Sequence, residues 1–518
     1  MNRFFNTAGP CNPERHYTLP AMARLPQVRR LIDQQLYFVL HAPRQTGKTT
    51  ALLTLAQELT AAGTYTAVLV SMEVGAALRD DLGAAEDAIL DAWLGKAEAQ
   101  LPPALQPPPW PAAPMGRRIG AALKAWAMAS PRPLVAFLDE IDALRDDALI
   151  SVLRQLRDGY AGRPRAFPWS LALIGLRDVR DYKVASGGSD RLHTASPFNI
   201  KAESLTLRNF TAEEVTALYQ QHTDETGQVF TPDATARAFH LTQGQPWLVN
   251  ALARQLTEVL VPDPATPITP AHVDQAKELL IQRQDTHLDS LAERLREPRV
   301  RHVIAPLLAG EPPDAIPLDD IRFVQDLGLC RTDPQRGLVV ANPVYQEVIP
   351  RVLAEPTLTY LPYLQPIWLT PDGKLDPAKL LEAFLAFWKQ HGQPLLKSAL
   401  YHEIAPQIVM MAFLHRVVNA GGTIERSYAV GTRSMDVCVR YQGVTLAIEL
   451  KTWRDRDKKR DPLHEGLKQL DRYLAGLGLD TGWLVIFDQR EGLPDIAERT
   501  TTEPATTPAG RGVVVVRA

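Results

Sequence analysis

Four short runs of consecutive apolar residues punctuate the first two hundred positions: Tyr37–Leu40 (YFVL), Thr66–Val70 (TAVLV), Leu134–Leu138 (LVAFL) and Leu171–Ile174 (LALI). Helical patterns fill the intervals between them. Unbroken apolar strands separated by helices predict a parallel sheet covered on both faces. Between Pro102 and Pro114 the stretch PPALQPPPWPAAP carries seven prolines, which rules out a helix or a central strand. It predicts an exposed connection inside the domain, with a partner-binding polyproline segment as the alternative.

From Leu205 to about Ser290 helical patterns dominate, TAEEVTALYQQH and PDATARAFHL each opening on a Thr or Pro start signal. Gly244, Gln245 and Pro246 interrupt this run, and WLVNALARQLTEVL restarts it. Next come two helical segments, VRHVIAPLLAG and DDIRFVQDLGL, and two short strands, LCRTD and GLVVANP, joined through Pro334 to Arg336. Helices followed by a small hairpin are the order of a winged helix. Beyond a linker with Pro356, Pro362 and Pro366, the pattern reads helix, helix, strand, strand, helix, strand, strand. The tail Thr500–Pro508 (TTTEPATTP) reads as flexible, and GVVVVR as a closing edge strand.

Length, at 518 residues, exceeds one ordinary domain; at about 150 residues per domain it suggests three or four. The expected partition is 1–204, 205–290, 291–355 and 356–518. A hydrophobic share of 45% and a charged share of 22% are ordinary for globular chains. The net charge of −3 argues against a wholly basic nucleic-acid coat, while leaving room for a local basic groove. Cys11, Cys330 and Cys438 lie too far apart in sequence for a metal pattern or a disulfide framework. No apolar run reaches the ~18 residues of a membrane span, and the N-terminus lacks the apolar core of a signal peptide. A soluble, cytoplasmic protein without a membrane partner is the expectation.

The segment YFVLHAPRQTGKTTALLTLAQEL is strand, loop and helix in that order, the context a phosphate-binding loop needs. Residues Ala42, Pro43, Arg44, Gln45, Thr46, Gly47, Lys48, Thr49 and Thr50 form the candidate nucleotide cradle. Amides from Gln45 to Thr49 sit at a helix N-terminus, where partial positive charge favours an anion. Lys48 would neutralise the β- and γ-phosphates of ATP, and the Thr49 hydroxyl would ligate Mg2+. Ala42 stands where a first glycine is usual. In LVAFLDEID an apolar strand ends in Asp139, placed for the magnesium shell, and Glu140, placed to orient an attacking water. Binding without hydrolysis is the alternative. Arg177 and Arg180 are candidate γ-phosphate sensors and Arg191 a candidate reach to a neighbouring subunit, each against the reading of an ordinary surface arginine.

HAPRQTGKTT, FLDEIDAL, SPFNI and GQPWLVNAL together resemble the AAA+-like and STAND-type P-loop ATPases of bacteria and archaea, over roughly residues 1–355. That resemblance implies a helical lid in which Gly244, Gln245 and Pro246 match a Gly-x-Pro element contacting nucleotide. It also implies a winged helix after the lid.

Near the C-terminus, MDVCVRY and VTLAIELK are strands joined by Gln442 and Gly443, a fair hairpin turn. Alternation puts Asp436, Cys438 and Arg440 on one face; on the second strand Glu449 and Lys451 share the face opposite Ile448. Two carboxylates and the Leu450 carbonyl would make the oxygen cage Mg2+ prefers, and Lys451 could orient a water or offset phosphorane charge. Asp followed by Glu-x-Lys on a hairpin resembles the PD-(D/E)XK nuclease superfamily, although Met435 stands where the leading proline belongs. The resemblance further implies Glu403 as an additional metal-linked acid, and Gln469 and Tyr473 as the Gln-x-x-x-Tyr pair of RecB-like nucleases, on one helix face by their spacing. The competing reading is three ordinary surface residues, or a catalytically dead nuclease fold that only binds. Lys458, Lys459 and Arg460 are candidate phosphate contacts, with Asp455, Asp457 and Asp461 making a solvated loop equally open; Trp453 reads as packing.

The expected fold is α/β: a parallel-sheet P-loop NTPase core with helical lid, a winged-helix domain and a C-terminal PD-(D/E)XK-like α/β domain. The expected function is an ATP-binding and ATP-hydrolysing protein coupled to a Mg2+-dependent DNA or RNA phosphodiesterase. Mobile-element control or defence is implied by the resemblance alone. Its expected partner is nucleic acid, DNA first, with a homo-oligomer as the setting for Arg191. One alternative is an ATP-gated signalling or scaffold switch with an inactive nuclease-like domain. Another is a DNA-remodelling or transposition-type ATPase, which the single basic residue of DDIRFVQDLGL, Arg322, does not favour.

Overall fold

A computed structural model describes residues 3–78, 81–144, 146–176, 200–283, 291, 293–308, 316–360, 366–398, 401, 404–418, 422–429, 434–455 and 461–518. The chain divides into two compact units, one of residues 1–276 with 326–328, the other of 277–325 with 329–518.

In the first unit the elements are α1 (Pro26–Asp33), β1 (Tyr37–His41), α2 (Lys48–Ala61), β2 (Thr66–Ser71), α3 (Leu82–Gln100), α4 (Arg118–Ala129), β3 (Leu134–Asp139), α5 (Asp146–Gly159), β4 (Ser170–Gly175) and β5 (Lys201–Thr206). The five strands form one sheet in the order β2-β3-β4-β1-β5, every pair parallel. Alternation divides each strand between two cores. Tyr37, Val39, Val68 and Val70 pack with Trp93 and Trp126 on one face; Phe38, Leu40, Ala67 and Leu69 pack with Leu52 and Leu55 on the other. This two-sided burial is what made the runs continuously apolar. Parallel strands also bring all their carboxyl ends to one sheet edge, where α/β sheets hold ligands.

β5 (KAESLT) shows no apolar run, because it is an edge strand with partly exposed positions. The proline-rich stretch is outwardly exposed at Pro102, Pro103, Pro109, Pro111 and Pro114. It is pinned inwardly: Trp110 Nε1 donates to Leu90 O (3.0 Å), and Trp126 Nε1 donates to Leu105 O (3.2 Å).

Helices α6 (Ala212–Thr226), α7 (Pro232–Thr242) and α8 (Pro246–Gln255) follow, then α9 (Pro270–Arg283), whose residues from Lys277 belong to the second unit. Thr211 caps α6 in a reciprocal capping box with Glu214, and Thr231 accepts from Ala234 N at the start of α7.

The second unit continues with α10 (Pro298–Leu308), α11 (Leu318–Asp326), β6 (Cys330–Asp333), β7 (Gly337–Val340) and α12 (Pro343–Tyr360). β6 and β7 are an antiparallel pair around the anticipated turn. Lys277 of α9 donates to Glu347 of α12 at 2.7 Å, both buried. Then come α13 (Pro377–Ser398), α14 (Ala405–Val418), β8 (Gly422–Ala429), β9 (Ser434–Tyr441), β10 (Val444–Trp453), α15 (Leu463–Leu477), β11 (Gly482–Asp488), α16 (Ile496–Arg499), β12 (Thr501–Thr506) and β13 (Gly512–Arg517). The six strands are ordered β12-β13-β11-β10-β9-β8.

Two expectations are corrected here. Thr501–Thr506 is an edge strand rather than a flexible tail, paired antiparallel with β13. Its threonines favour extended backbone, and an edge tolerates Pro504, which has no N–H to give. GVVVVR therefore lies inside the sheet, between β12 and β11. β8, absent from the anticipated order, adds the opposite edge. Among the described residues no helix is long and apolar enough to cross a membrane.

Candidate functional site

After His41 the chain leaves β1 and turns back into α2 through Gln45 (φ 59°) and Gly47 (φ 88°), both left-handed. Only glycine adopts that region without strain, which is why Gly47 stands at the helix start. The Thr46 hydroxyl tightens the turn by donating to Pro43 O at 2.9 Å. Ala42 is fully buried, and its amide donates to Gly175 O at 3.3 Å. Gly47 offers no side chain to cap α2, so first-turn amides are left to an anion.

Lys48 Nζ folds over this loop, donating to Ala42 O (2.6 Å) and Pro43 O (2.8 Å). Burial holds its pKa down to about 8, partly offset by Asp139 and Asp142. Thr49 Oγ1 donates to Asp139 Oδ2 at 2.8 Å. The other carboxylate oxygen of Asp139 accepts the Glu140 amide at 2.9 Å, and burial raises the Asp139 pKa. Glu140 itself is left-handed (φ 55°). Burial and then Glu73 push its pKa up to about 7. Register explains the grouping, since Ser71 at the end of β2 pairs with Asp139. The two anticipated motifs therefore meet.

Other cradle residues take different places. Arg44 and Gln45 are exposed, and the Thr50 hydroxyl accepts from Cys11 N at 3.1 Å. Pro246 opens α8, where the Gln245 side chain caps Leu248 N at 2.6 Å. Its link to the loop runs through residues the sequence did not flag. Arg24 Nη1 donates to Thr46 O (2.9 Å) and Arg208 O (3.1 Å), and its guanidinium lies 4.8 Å from the Phe210 ring. Burial brings the Arg24 pKa down to about 10, so it stays charged at neutral pH. Phe210 N then donates to Gly244 O at 2.8 Å. An arginine before a helix has no local pattern to mark it. Arg177, Arg180, Arg191 and the SPFNI segment lie outside the described residues, apart from Ile200.

In the second unit Gln442 (φ 45°) and Gly443 (φ 81°) make the two-residue turn between β9 and β10. Glu449 stands opposite Asp436 in the ladder, and Lys451 opposite Ser434. Directly opposed residues share a face, so backbone register puts Asp436 beside Glu449; the Asp436 side chain is outside the described set. Glu449 and Lys451 are not surface residues, being 0% and 2% exposed. α15 covers them, packing Leu470 and Leu474 onto Ala447 and Leu484. Lys451 Nζ lies 3.4 Å from Glu449 Oε1 and donates to Gln469 Oε1. Gln469 Nε2 reaches Glu465 Oε1 at 3.4 Å, and half-buried Tyr473 sits one turn further along α15. Trp453 packs against this core as anticipated, with the Arg490 guanidinium 3.5 Å over its ring. Glu403, Asp457, Lys458, Lys459 and Arg460 lie outside the described residues.

No family model matches the sequence, and no curated protein matches it. Solved structures similar to it include the Walker-type ATPase paby2304 of Pyrococcus abyssi, at 12% identity and TM-score 0.46 over 67% of this chain and 99% of that one. The Thermotoga maritima RuvB Holliday junction branch migration motor is 14% identical, with TM-score 0.34 over 63% of this chain and 92% of its own. Cdc6p of Pyrobaculum aerophilum is 13% identical, with TM-score 0.36 over 65% and 95%.

The donor sets differ in what they fit. Thr49 and Asp139 are a short oxygen set, which suits a magnesium ion that takes its other ligands from phosphate and water. Around Glu449 the described residues gather no third acidic, His or Cys ligand, nor do they anywhere else in the chain. A metal there would draw on Asp436, Glu449 and the Leu450 carbonyl.

Proposed function

We propose that the first unit binds ATP with Mg2+ and hydrolyses it, and that this nucleotide cycle governs a phosphodiesterase acting on nucleic acid in the second. The observation that carries the nucleotide half is the 2.8 Å bond from Thr49 to Asp139 beside the half-buried Lys48 ammonium. In this reading first-turn amides of α2 and Lys48 hold the β- and γ-phosphates, and Thr49 and Asp139 hold the ion. Magnesium, when bound, offsets charge building on the phosphoryl oxygens. Glu140 accepts a proton from the attacking water, and its raised pKa keeps it near the working range of a general base. Arg24 keeps the loop closed from behind through Thr46.

For the second unit, support comes from Glu449, Lys451 and Gln469 meeting under α15. Glu449 with Asp436 would hold magnesium, and Lys451 would steady a water or the developing phosphorane charge. The segment 291–355 we read as a winged helix that docks protein, since α11 offers only Arg322. The setting is a cytoplasm, DNA the first substrate, a homo-oligomer the assembled form, and control of mobile elements or defence the role.

One observation favours a second reading. A Glu449–Lys451 pair this deeply buried suits a switch that binds nucleic acid or a partner without cutting it. Phosphate release from ATP and magnesium-dependent cleavage of labelled DNA and RNA, with and without ATP, separate the two. Lys48→Ala should abolish phosphate release, and Glu449→Ala should abolish cleavage alone. Wild-type cleavage at background would leave the switch; unchanged phosphate release in Lys48→Ala would remove the nucleotide site itself.

A further inference from the structure

Around α15 three arginines are taken up in ion pairs: Arg511 with Asp471 (2.8 Å), Arg517 with Asp461 (2.8 Å), and Arg490 with Asp488 (2.6 Å). α15 holds an exception. His464, Lys468 and Arg472 are all exposed, and none pairs or hydrogen-bonds with a described residue. Spaced by four, they lie on adjacent turns of one face, ~6 Å apart along the axis and ~12 Å in total.

The row lies on the outer side of the helix, away from Leu470 and Leu474, and one residue out of phase with Gln469 and Tyr473. Gln469 holds Lys451, and Lys451 holds Glu449. We propose that this face of α15 is a track for a nucleic-acid backbone. The inference rests on reading the second unit as one that engages nucleic acid.

Charge spacing fits the ligand. One strand of a duplex carries a phosphate every ~3.4 Å of axis, so ~12 Å meets three or four of them. A protein partner would ask for something different, an apolar or aromatic centre ringed by polar groups. No exposed large hydrophobic residue lies on α15. Binding through such a row is electrostatic and releases counterions, which gives it a measurable signature.

The test is fluorescence anisotropy of the full chain with a fluorescein-labelled single-stranded oligodeoxynucleotide and its duplex. It is run in EDTA, to prevent cutting, across a salt series. K468Q/R472Q should flatten the slope of log affinity against log salt by about 1.4 on single strand and about 1.8 on duplex. K374Q/K379Q, removing the same charge elsewhere on the unit, should leave it unchanged, and both variants should melt with wild type. An unchanged slope in K468Q/R472Q, an equal effect in the control, or a wild-type chain that binds neither probe would overturn the proposal. Cleavage is scored separately with magnesium. Track-dependent binding without cleavage sinks the phosphodiesterase and spares the surface; cleavage with track-independent binding does the reverse.

Discussion

Thr49 at the start of α2 and Asp139 at the end of β3 share a 2.8 Å hydrogen bond across 90 positions of sequence. The bond ties the loop before α2 to the acidic strand tip and sets side by side the two oxygens that would hold magnesium in the proposed function. Thr49→Val keeps the shape and deletes the donor. Thr49 is exposed, so water can replace it at Asp139, and the stability loss should be about 1 kcal/mol in urea denaturation. The magnesium dependence of ATP binding should weaken far more, because in the proposed function the lost hydroxyl would also be a ligand. Titration of ATP at graded Mg2+ checks it.

Glu140 carries the clearest pH signature. Its pKa is pushed up to about 7, by burial first and by Glu73 next. An ionised Glu140 is what a base requires, so phosphate release should climb through pH 7 and level off above it. The stability term runs oppositely: the folded chain holds the proton between pH 4.5 and about 7 while the unfolded chain has lost it. That contribution is full below 4.5 and gone above 7. Glu73→Ala should move the activity limb to lower pH, and Glu140→Gln should cost ~10²–10⁴ in kcat with ATP still bound. A pH–rate profile that ignores Glu73 would remove Glu140 from the base role.

What the sequence made legible follows burial. β1 to β4 are buried on both faces, so their apolar runs stand out, and the loop and acidic tip could be read from the residues that end them. β5 and β12 are edges whose side chains meet water, so KAESLT and TTEPAT carry no such run, and β8 went unseen beside them. Lys48, Thr49 and Asp139 belong to motifs with fixed spacing. Arg24 and Glu73 reach the site only through folding, from Thr46 and from the β2 end, and no local pattern announces either. The Glu449 hairpin was legible by alternation, but its depth was not: the cover comes from α15, a separate element.

Lys48 makes a prediction with two opposed readouts. Its pKa is held down to about 8 against an ordinary 10.5, burial being the main cause. Below pH 8 the ammonium is charged in both states and its burial costs stability. As pH rises from 8 towards 10.5 the folded chain has shed a proton that the unfolded chain still holds, so that cost fades. ATP affinity should meanwhile fall above pH 8, as the phosphates lose their cation. Lys48→Ala should bind weakly at every pH with neither trend, measured by calorimetry and denaturant melts.

Lys451 and Glu449 are an ion pair with almost no water contact, 2% and 0% exposed. Removing one partner of such a pair strands a buried charge, at a cost of about 3–5 kcal/mol. Lys451→Met should therefore destabilise the second unit's transition by that amount in urea. Replacing both, Glu449→Gln with Lys451→Met, should recover most of it. Saturating Mg2+ should raise the melting temperature of wild type and not of the double variant if Glu449 ligates the ion. Equal destabilisation in the single and double variants would show that packing, not charge, holds this region.

Gly244 tests the junction between the 208–210 segment and α8 by geometry alone. It sits at φ 70°, and a Cβ built there would lie 1.9 Å from Phe210 O, a backbone atom that cannot swing away. The same carbonyl-bearing residue gives its amide to Gly244 O, and its ring underlies Arg24, which holds Thr46 O. Gly244→Ala must push the 208–210 segment outward and loosen that chain of contacts. Gly227, at φ 80° with nothing near its missing Cβ, is the matched control. Gly227→Ala should cost about 1 kcal/mol, the left-handed penalty alone. Gly244→Ala should cost clearly more and weaken ATP binding as well, since the displaced segment anchors the Arg24 clamp. Equal losses in the two variants, with ATP affinity untouched, would separate this glycine from the nucleotide loop.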